Sequence, residues 1–217
     1  MGDGPAAMSV TDITVALMSA TVINIISCMT RWEPNARERL AQAALDLYAE
    51  RGFEQTTVAE IAKRAGLTER TFFRHFTDKR EVLFAGGTEL QEHMVSGVLH
   101  APADAAPMEA VAAGLAAGGE VLEERRAFAH KRAAVIAASA ELQERELIKL
   151  ASLATALAQA LRRRGVAEPA ASLTAQAGIA VFHVAFARWV GDGHELALPE
   201  VIRDSLDELR AVTAGPR

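Results

Sequence analysis

Residues typical of secreted, strand-rich and metal-binding proteins are scarce in this sequence. Cys28 is its single cysteine, so no internal disulfide can form, and we expect a reduced, cytoplasmic setting. Aromatic residues make up 5% of the 217 residues, whereas 50% are apolar, with alanine and leucine prominent. Strand-rich proteins carry more β-branched and aromatic residues in alternating runs. The composition therefore predicts an all-α fold.

Catalytic and metal-binding patterns are equally scarce. The sequence has no pair of cysteines to hold zinc, and no two histidines lie four residues apart on one helix face. There is no G-x-S-x-G motif, and residues 114–120, "GLAAGGE", have neither the strand nor the spacing of a phosphate-binding loop. We therefore expect no metal, no cofactor and no enzymatic activity. His183 lies in an apolar helix and is interpreted as a hydrogen-bonded core residue, with a ligand pocket or an interface as the alternative.

The charge is distributed unevenly along the chain. The whole sequence has a net charge of −5, but residues 31–85 contain ten Lys and Arg against nine Asp and Glu. Within that segment, residues 65–81, "AGLTERTFFRHFTDKRE", concentrate cationic side chains around three phenylalanines. A local cluster of positive charge is one mark of nucleic-acid-binding domains. Because the excess is small, the charge is a weak indication by itself.

Residues 1–29 differ from the rest of the chain. They are fairly apolar, but Asp12 interrupts the apolar run, and an aspartate near the centre of a membrane span costs about 3 kcal/mol. No Lys or Arg precedes the run, although a signal peptide begins with positive charge. We predict a tail that is either disordered or upstream of a true start at Met29, rather than a membrane anchor.

The capping residues of the next segment predict a helix-turn-helix. Thr57 with Glu60 three residues later forms a capping box, and Gly66 ends that helix after about two turns. Thr68 then caps a second short helix. Two short helices joined by a glycine-containing turn constitute this motif. Asp78 is expected to cap a third helix, "KREVLF".

Helical periodicity also precedes and follows this motif. Before it, an apolar stripe of Leu40, Ala44, Leu47 and Tyr48 marks one face of a helix that Gly52 closes. After residue 100, glycines and prolines separate further helical patterns. These patterns run over residues 107–126, 127–139, 141–164, 169–190 and 198–213.

The second helix of a helix-turn-helix enters the major groove with its N-terminal residues first. Here Arg70 can donate two hydrogen bonds to guanine, and Glu69 can accept one from cytosine. Further side chains are spaced to meet backbone phosphates or, for the threonines, a thymine methyl: Thr68, Thr71, Arg74, His75 and Lys79. The alternative interpretation is a merely solvated charged face, and the consecutive caps in register argue against it.

The three phenylalanines of this helix divide between its two faces. Phe72 and Phe76 are four residues apart and should therefore lie in the core. Phe73 lies one step round the helix, so we expect it to face outward beside the DNA.

The segment from residue 37 to 84 resembles the DNA-binding region of the TetR/AcrR family of bacterial transcriptional regulators. It contains the motifs A-x-x-L-F/Y-x-x-x-G-F/Y, T-T/V-x-x-I-A, the A-G-V/L turn and T-F/L-Y/F-x-H-F-x-x-K. The resemblance implies base reading at Glu69 and Arg70, and sometimes at Ala59. It implies phosphate contacts at Thr57 or Val58, Thr68, Phe73, His75 and Lys79.

One position departs from the family pattern. The family often has tyrosine where this chain has Phe73, whose ring cannot donate a hydrogen bond to a phosphate. Arg74 is the neighbouring side chain that can replace that contact.

The resemblance also implies an organisation for the whole chain. We predict a tail over 1–29, a three-helix helix-turn-helix DNA-binding domain over 30–85, and a helical bundle for ligand binding and dimerisation over 86–217. The pocket residues predicted for a largely hydrophobic small effector are Leu115, Leu122, Phe128, Ile136, Ile148 and Phe182. The residues predicted for the dimer interface are Phe186, Trp189, Val201, Ile202, Leu206 and Leu209, with intrachain core as the alternative.

The function that the resemblance implies is a ligand-responsive, cytoplasmic regulator, usually a repressor. It would bind a near-palindromic operator in double-stranded DNA as a homodimer. An all-α ligand-binding or enzymatic helical protein with a non-functional helix-turn-helix is the alternative.

Overall fold

The computed structural model describes residues 36–191 and 196–214. Within these ranges the chain forms nine α-helices and no strand, as the composition predicts. In chain order the helices are α1 Ala36–Arg51, α2 Val58–Arg64, α3 Glu69–His75, α4 Gly87–His100, α5 Pro107–Glu123, α6 Arg126–Ala137, α7 Ala140–Arg163, α8 Ala170–Val190 and α9 Leu198–Thr213, with a 3₁₀ turn at Glu81–Phe84 between α3 and α4. The predicted tail, Cys28 and His194 lie outside the described residues.

A first hydrophobic core lies beneath the three N-terminal helices. The predicted stripe on α1 is confirmed, because Leu40, Ala44, Leu47 and Tyr48 are all buried there. Phe72 of α3 packs into the same core. Burial of this apolar surface holds the short helices in place, because helices of seven residues are too short to be stable alone.

The first core also includes residues from the distant corner between α6 and α7. Val135 and Ile136 from the end of α6 and Leu142 from the start of α7 are buried among the N-terminal helices. The corner between α6 and α7 therefore packs in the same core as the helix-turn-helix. The domain boundaries at 30–85 and 86–217 stay predictions.

A second core is built by α4, α5, α7, α8 and α9, with Ala129 of α6. Its largest fully buried side chain is Trp189 of α8. The backbones of α4 and α5 approach closely at Gly114, where an added Cβ would lie 2.5 Å from the Met94 carbonyl oxygen. Only glycine permits this approach, so the two helices pack backbone to backbone at that point.

The segment "KREVLF" after α3 was predicted to form an α-helix, but its residues Glu81–Phe84 form a 3₁₀ turn instead. The N-cap of this turn is Arg80 rather than the predicted Asp78. Asp78 lies two residues earlier, and its Oδ1 accepts hydrogen bonds from the backbone N–H of Arg80 at 2.8 Å and of Glu81 at 3.2 Å. Val82, Leu83 and Phe84 are buried in the first core. A connecting segment of only four residues has the length at which 3₁₀ geometry is commonly found.

Among the described helices, α8 is long and apolar enough to cross a membrane by length and composition. Ala175, Phe182 and Trp189 on one face of α8 are buried in the second core. We therefore interpret α8 as a core helix.

Candidate nucleic-acid interface

The entry into α2 is fixed by the predicted capping box. Thr57 Oγ1 accepts from the backbone N–H of Glu60 at 3.3 Å, and Glu60 Oε2 accepts from the backbone N–H of Thr57 at 2.9 Å. The Thr57 hydroxyl also lies 2.8 Å from that carboxylate and donates to it. These bonds lower the pKa of Glu60, with the backbone bond from Thr57 the largest cause. The cap therefore occupies the Thr57 hydroxyl hydrogen that a phosphate contact would use.

The turn between α2 and α3 depends on a glycine. Gly66 has φ +67°, a left-handed conformation that residues with a Cβ adopt at a cost. The backbone N–H of Leu67 then donates to the Ala62 carbonyl at 2.8 Å. Arg39 of α1 donates to the Ala65 carbonyl. The turn is thus closed by the α2 backbone and tied to α1.

The outer face of α3 presents the predicted base-reading residues. Glu69, Arg70 and Arg74 are exposed, whereas Phe72 on the opposite face is fully buried. The cap at Thr68 is confirmed, because its Oγ1 accepts from the backbone N–H of Thr71 at 3.2 Å. The Thr68 and Thr71 hydroxyls are also hydrogen-bonded to each other. Helix α3 therefore has one face anchored in the core and one face open.

The predicted division of the phenylalanines is also confirmed. Phe72 and Phe76 are buried, and Phe73 is 56% exposed. The ring of Phe73 contacts that of Phe72 edge-on, with centroids 5.4 Å apart. An exposed aromatic side chain on this face can offer a flat apolar contact but no hydrogen bond.

Most cations around the motif already have partners inside the protein. Arg64 forms a bidentate ion pair with Glu50, with N–O distances of 2.9 and 2.8 Å. Arg51 forms an ion pair with Glu60. Within residues 36–85, three cations have neither a hydrogen bond nor an ion pair: Lys63, Arg70 and Arg74. Lys63, at the end of α2, was not among the predicted DNA contacts. The sequence shows its charge but does not show that the next residue, Arg64, is paired with Glu50 while Lys63 is not.

The side chain of Lys79, which was predicted to contact a phosphate, is bound within the protein. Its ammonium points inward and donates to the backbone carbonyls of Phe53 at 2.9 Å, Thr56 at 3.1 Å and Glu54 at 3.4 Å. A lysine has three N–H donors, and here each has an acceptor in the chain. Lys79 is therefore occupied by the loop before α2 in this conformation.

The remaining predicted phosphate contacts are only partly available. Val58 and His75 are half-buried. Nε2 of His75 is buried without a hydrogen-bond partner among the described residues, so only Nδ1 can reach outward. Ala59 is exposed on the first turn of α2, as its occasional base-reading role requires.

The 3₁₀ turn that follows the motif is tied to α7 by an ionic cluster. Glu81 accepts from Arg145 and, at 3.1 Å, from Lys149. Burial raises the pKa of Glu81, but the two cations together outweigh it and hold the pKa below the usual glutamate range. The helix-turn-helix is thereby connected to α7, which also contributes to the second core.

The residues predicted for an effector pocket are not gathered in one place. Three belong with the second core: Leu115, Leu122 and Phe182. Ile136 is buried in the first core and Phe128 packs against it, while Ile148 is 48% exposed on α7. The periodicity showed which residues are apolar but did not show that α6 and α7 reach into the other core.

The predicted dimer interface also needs correction. Four of its six residues are 5% exposed or less within the single chain: Trp189, Val201, Ile202 and Leu206. Phe186 and Leu209 are partly buried against the same core. Side chains enclosed in this way are intrachain core and offer a partner chain almost no surface. The exposed large apolar residues of the same two helices are Leu173, Val184 and Val212.

The histidine in the apolar helix α8 is not a core residue. His183 is exposed, so the prediction of a hydrogen-bonded core histidine is wrong. The alternative, a pocket or an interface, stays a prediction. Within the described residues, no group of three metal-binding side chains is found.

Comparisons with known proteins agree with this geometry. The sequence pattern of the bacterial regulatory proteins of the tetR family matches residues 40–85. The HTH-type transcriptional regulator TcmR from Streptomyces glaucescens is 36% identical over 75 residues, which cover 35% of this chain and 33% of TcmR. The chain thus spans about a third of the length of the curated relatives it matches.

Solved structures support the fold over most of the chain. The regulator FadR from Bacillus subtilis, in complex with stearoyl-CoA, has a TM-score of 0.56 at 20% identity, covering 79% of this chain and 96% of that one. A transcriptional regulator from Aquifex aeolicus has a TM-score of 0.52 at 20% identity, covering 82% and 99%. The motif, the capped helix-turn-helix and the all-α fold lead to one conclusion: residues 40–85 form a domain of the tetR family of bacterial regulatory proteins.

Proposed function

We propose that the chain is a DNA-binding transcriptional regulator that acts as a homodimer on a near-palindromic operator. In this proposal it is a cytoplasmic bacterial repressor, and a small, largely hydrophobic effector releases it from DNA. It is not proposed to catalyse a reaction.

The proposal rests on how α3 divides its two faces. Phe72 fixes the helix in the first core, while Glu69 and Arg70 stand exposed on its first turn. These are the positions from which a recognition helix reads base edges in the major groove. Arginine suits guanine O6 and N7, and glutamate suits cytosine N4.

Effector release is proposed to be a shift between two populations of the dimer. The recognition helices fit DNA when they lie about 34–36 Å apart, one helical turn of the duplex. An effector that favours another spacing weakens DNA binding, and coupling of about 1–3 kcal/mol suffices for a several-fold effect. Because α6 and α7 both contribute to the two cores, they are the helices through which we expect the second core to act on the first.

The effector is proposed to lie in the second core near Leu115, Leu122 and Phe182. An acyl-CoA, the kind of molecule bound in the FadR structure, is a reasonable first compound to test. Dimerisation is proposed through the exposed faces of α8 and α9.

The test is an electrophoretic mobility shift of the purified protein against DNA fragments from upstream of its own gene. We expect one fragment to be bound in the presence of excess genomic DNA, and Arg70→Ala to weaken that complex about tenfold or more. Arg163→Ala, at an exposed arginine at the end of α7, is the matched control and should bind normally. Failure to shift any fragment at low salt would contradict the proposal.

A further inference from the structure

We propose that Lys79 is a positioning residue of the nucleic-acid interface rather than a phosphate contact. Its ammonium ties the loop before α2 to the chain that leaves α3. The inference rests on the proposed DNA-binding function and concerns how the binding surface is held in shape.

Backbone carbonyls surround the ammonium of Lys79. Three carbonyl oxygens, from Phe53, Glu54 and Thr56, lie 2.9 to 3.4 Å from Nζ. The ring of Phe53 provides a further side, with its centroid 4.2 Å from Nζ. Because an ammonium donates three hydrogens and accepts none, this arrangement satisfies it fully. A cation over an aromatic face is additionally stabilised when it is partly desolvated.

The backbone of Lys79 is held as firmly as its side chain. The Tyr48 hydroxyl donates to the Lys79 carbonyl at 2.7 Å. Burial, and to a lesser degree the charge of Asp78, raises the pKa of Tyr48, so its hydroxyl stays protonated and able to donate. Lys79 is thereby attached to α1 through its carbonyl and to the loop through its ammonium.

The loop that Lys79 holds is also supported by Phe53, whose buried ring contacts that of Tyr48, and by the hydrogen bonds of Thr56. Thr56 is buried and donates from its hydroxyl to the Gly52 carbonyl at 2.9 Å, and its N–H donates to the Phe53 carbonyl at 3.2 Å. The next residue, Thr57, is the N-cap of α2. Removal of the ammonium would therefore leave three carbonyls to find other partners directly before the helix-turn-helix.

Lys79 also follows closely on α3, whose C-cap is Phe76. One side chain thus joins the entry to α2 with the exit from α3, 23 to 26 residues apart in the chain. Both helices must keep their relative orientation to meet one groove. The direct attraction for phosphates is then left to the uncommitted cations Arg74 and Lys63.

The two roles predict different salt dependence. A phosphate contact releases counterions, so its loss lowers the slope of log K against log salt by about 0.9 in each protomer. A positioning residue changes the affinity and leaves that slope unchanged. Lys79→Arg separates the roles again, because arginine keeps the charge for a phosphate but its planar fork cannot satisfy three converging carbonyls.

The experiment measures binding to sonicated genomic DNA of mixed sequence at several salt concentrations. It is carried out at a temperature at which circular dichroism shows each protein folded. Lys79→Met and Lys79→Arg are compared with Arg74→Met, which removes the same charge from an exposed side chain without partners in residues 36–85. We expect both Lys79 variants to lose about tenfold in affinity with an unchanged slope. Arg74→Met should lower the slope.

Hydrogen exchange without DNA provides the independent readout. The amides of Thr56 to Glu60 should exchange faster in both Lys79 variants and at the wild-type rate in Arg74→Met. If Lys79→Met does not fold, Lys79→Arg makes the same comparison. A reduced slope for Lys79→Met with normal affinity for Lys79→Arg would overturn the inference, and so would unchanged hydrogen exchange. A wild-type protein that binds no DNA at low salt would instead overturn the proposed function.

Discussion

The guanidinium of Arg132 lies over the ring of Phe84, with its central carbon 4.8 Å from the ring centroid. It also donates from Nε to the Leu83 carbonyl at 2.7 Å and from Nη1 to the Glu146 carboxylate at 3.0 Å. Burial lowers the pKa of Arg132, and the charge of Glu146 opposes that shift. One arginine on α6 thereby joins α7 to the 3₁₀ turn behind the recognition helix.

Removal of the Arg132 guanidinium should lower the stability of the folded protein. Arg132→Met leaves Glu146 and the Leu83 carbonyl without their partner, and we expect a loss of about 3 kcal/mol in the free energy of unfolding. The measurement is urea unfolding followed by circular dichroism. Arg163→Met, on the exposed end of α7, should change stability by less than about 0.5 kcal/mol. Equal effects of the two variants would show that the Arg132 contacts contribute nothing.

Glu81 gives a prediction about acid stability. Its folded-state pKa is lowered, so its contribution is present in full above the unfolded pKa of about 4.3 and is lost as the pH falls through the folded value. The wild type should therefore be more stable than Glu81→Gln at pH 7, and the difference should shrink as the medium becomes acidic. Urea unfolding at a series of pH values measures this. A difference that stays constant down to low pH would contradict the ionic cluster.

The local parts of this fold could be predicted because their signals lie within a few residues. The capping box of Thr57 and Glu60 and the cap at Thr68 were confirmed, since each involves positions three residues apart. The inward position of the Lys79 ammonium could not be predicted, because its acceptors lie 23 to 26 residues away. A contact over that sequence separation produces no periodic pattern. The sequence therefore does not distinguish a lysine that points inward from one that points outward.

Apolar periodicity was equally ambiguous on the last two helices. The stripe that contains Val201, Ile202 and Leu206 was assigned to a partner chain, but it faces the second core. A stripe shows that a helix buries one face, without showing what covers it. The exposed Val184 carries little periodic signal because small alanines surround it on that face of α8.

Gly66 provides a test of the turn in the helix-turn-helix. An alanine there must adopt φ +67°, and its Cβ would lie 2.9 Å from the Arg39 guanidinium. We expect Gly66→Ala to lower the free energy of unfolding by about 1–2 kcal/mol. Gly87→Ala is the matched control, because nothing lies within 4 Å of its added Cβ, and it should be neutral or slightly stabilising. Equal thermal midpoints for both variants would contradict the requirement for glycine.

Arg70 and Arg74 should differ in what they contribute to DNA binding. If Arg70 reads a base as proposed, Arg70→Ala should lose about 1–3 kcal/mol for the operator and relax the sequence preference. If Arg74 meets a phosphate, Arg74→Ala should weaken all sequences alike while lowering the salt slope. Fluorescence anisotropy with operator and scrambled duplexes measures both quantities. The same uniform loss in both variants would show that the roles are wrongly assigned.

The exposed face of α8 gives the prediction for dimerisation. Val184 is 51% exposed, and a charge buried without a partner in an apolar interface is strongly unfavourable. We therefore expect Val184→Glu to shift the protein from dimer to monomer in size-exclusion chromatography with light scattering. Leu147→Glu makes the same change at a 62% exposed residue of α7 and should leave the dimer intact. Leu206→Ala, in the second core, should instead lower the free energy of unfolding by about 2–5 kcal/mol. Dissociation by Leu147→Glu and not by Val184→Glu would move the proposed interface from α8 to α7.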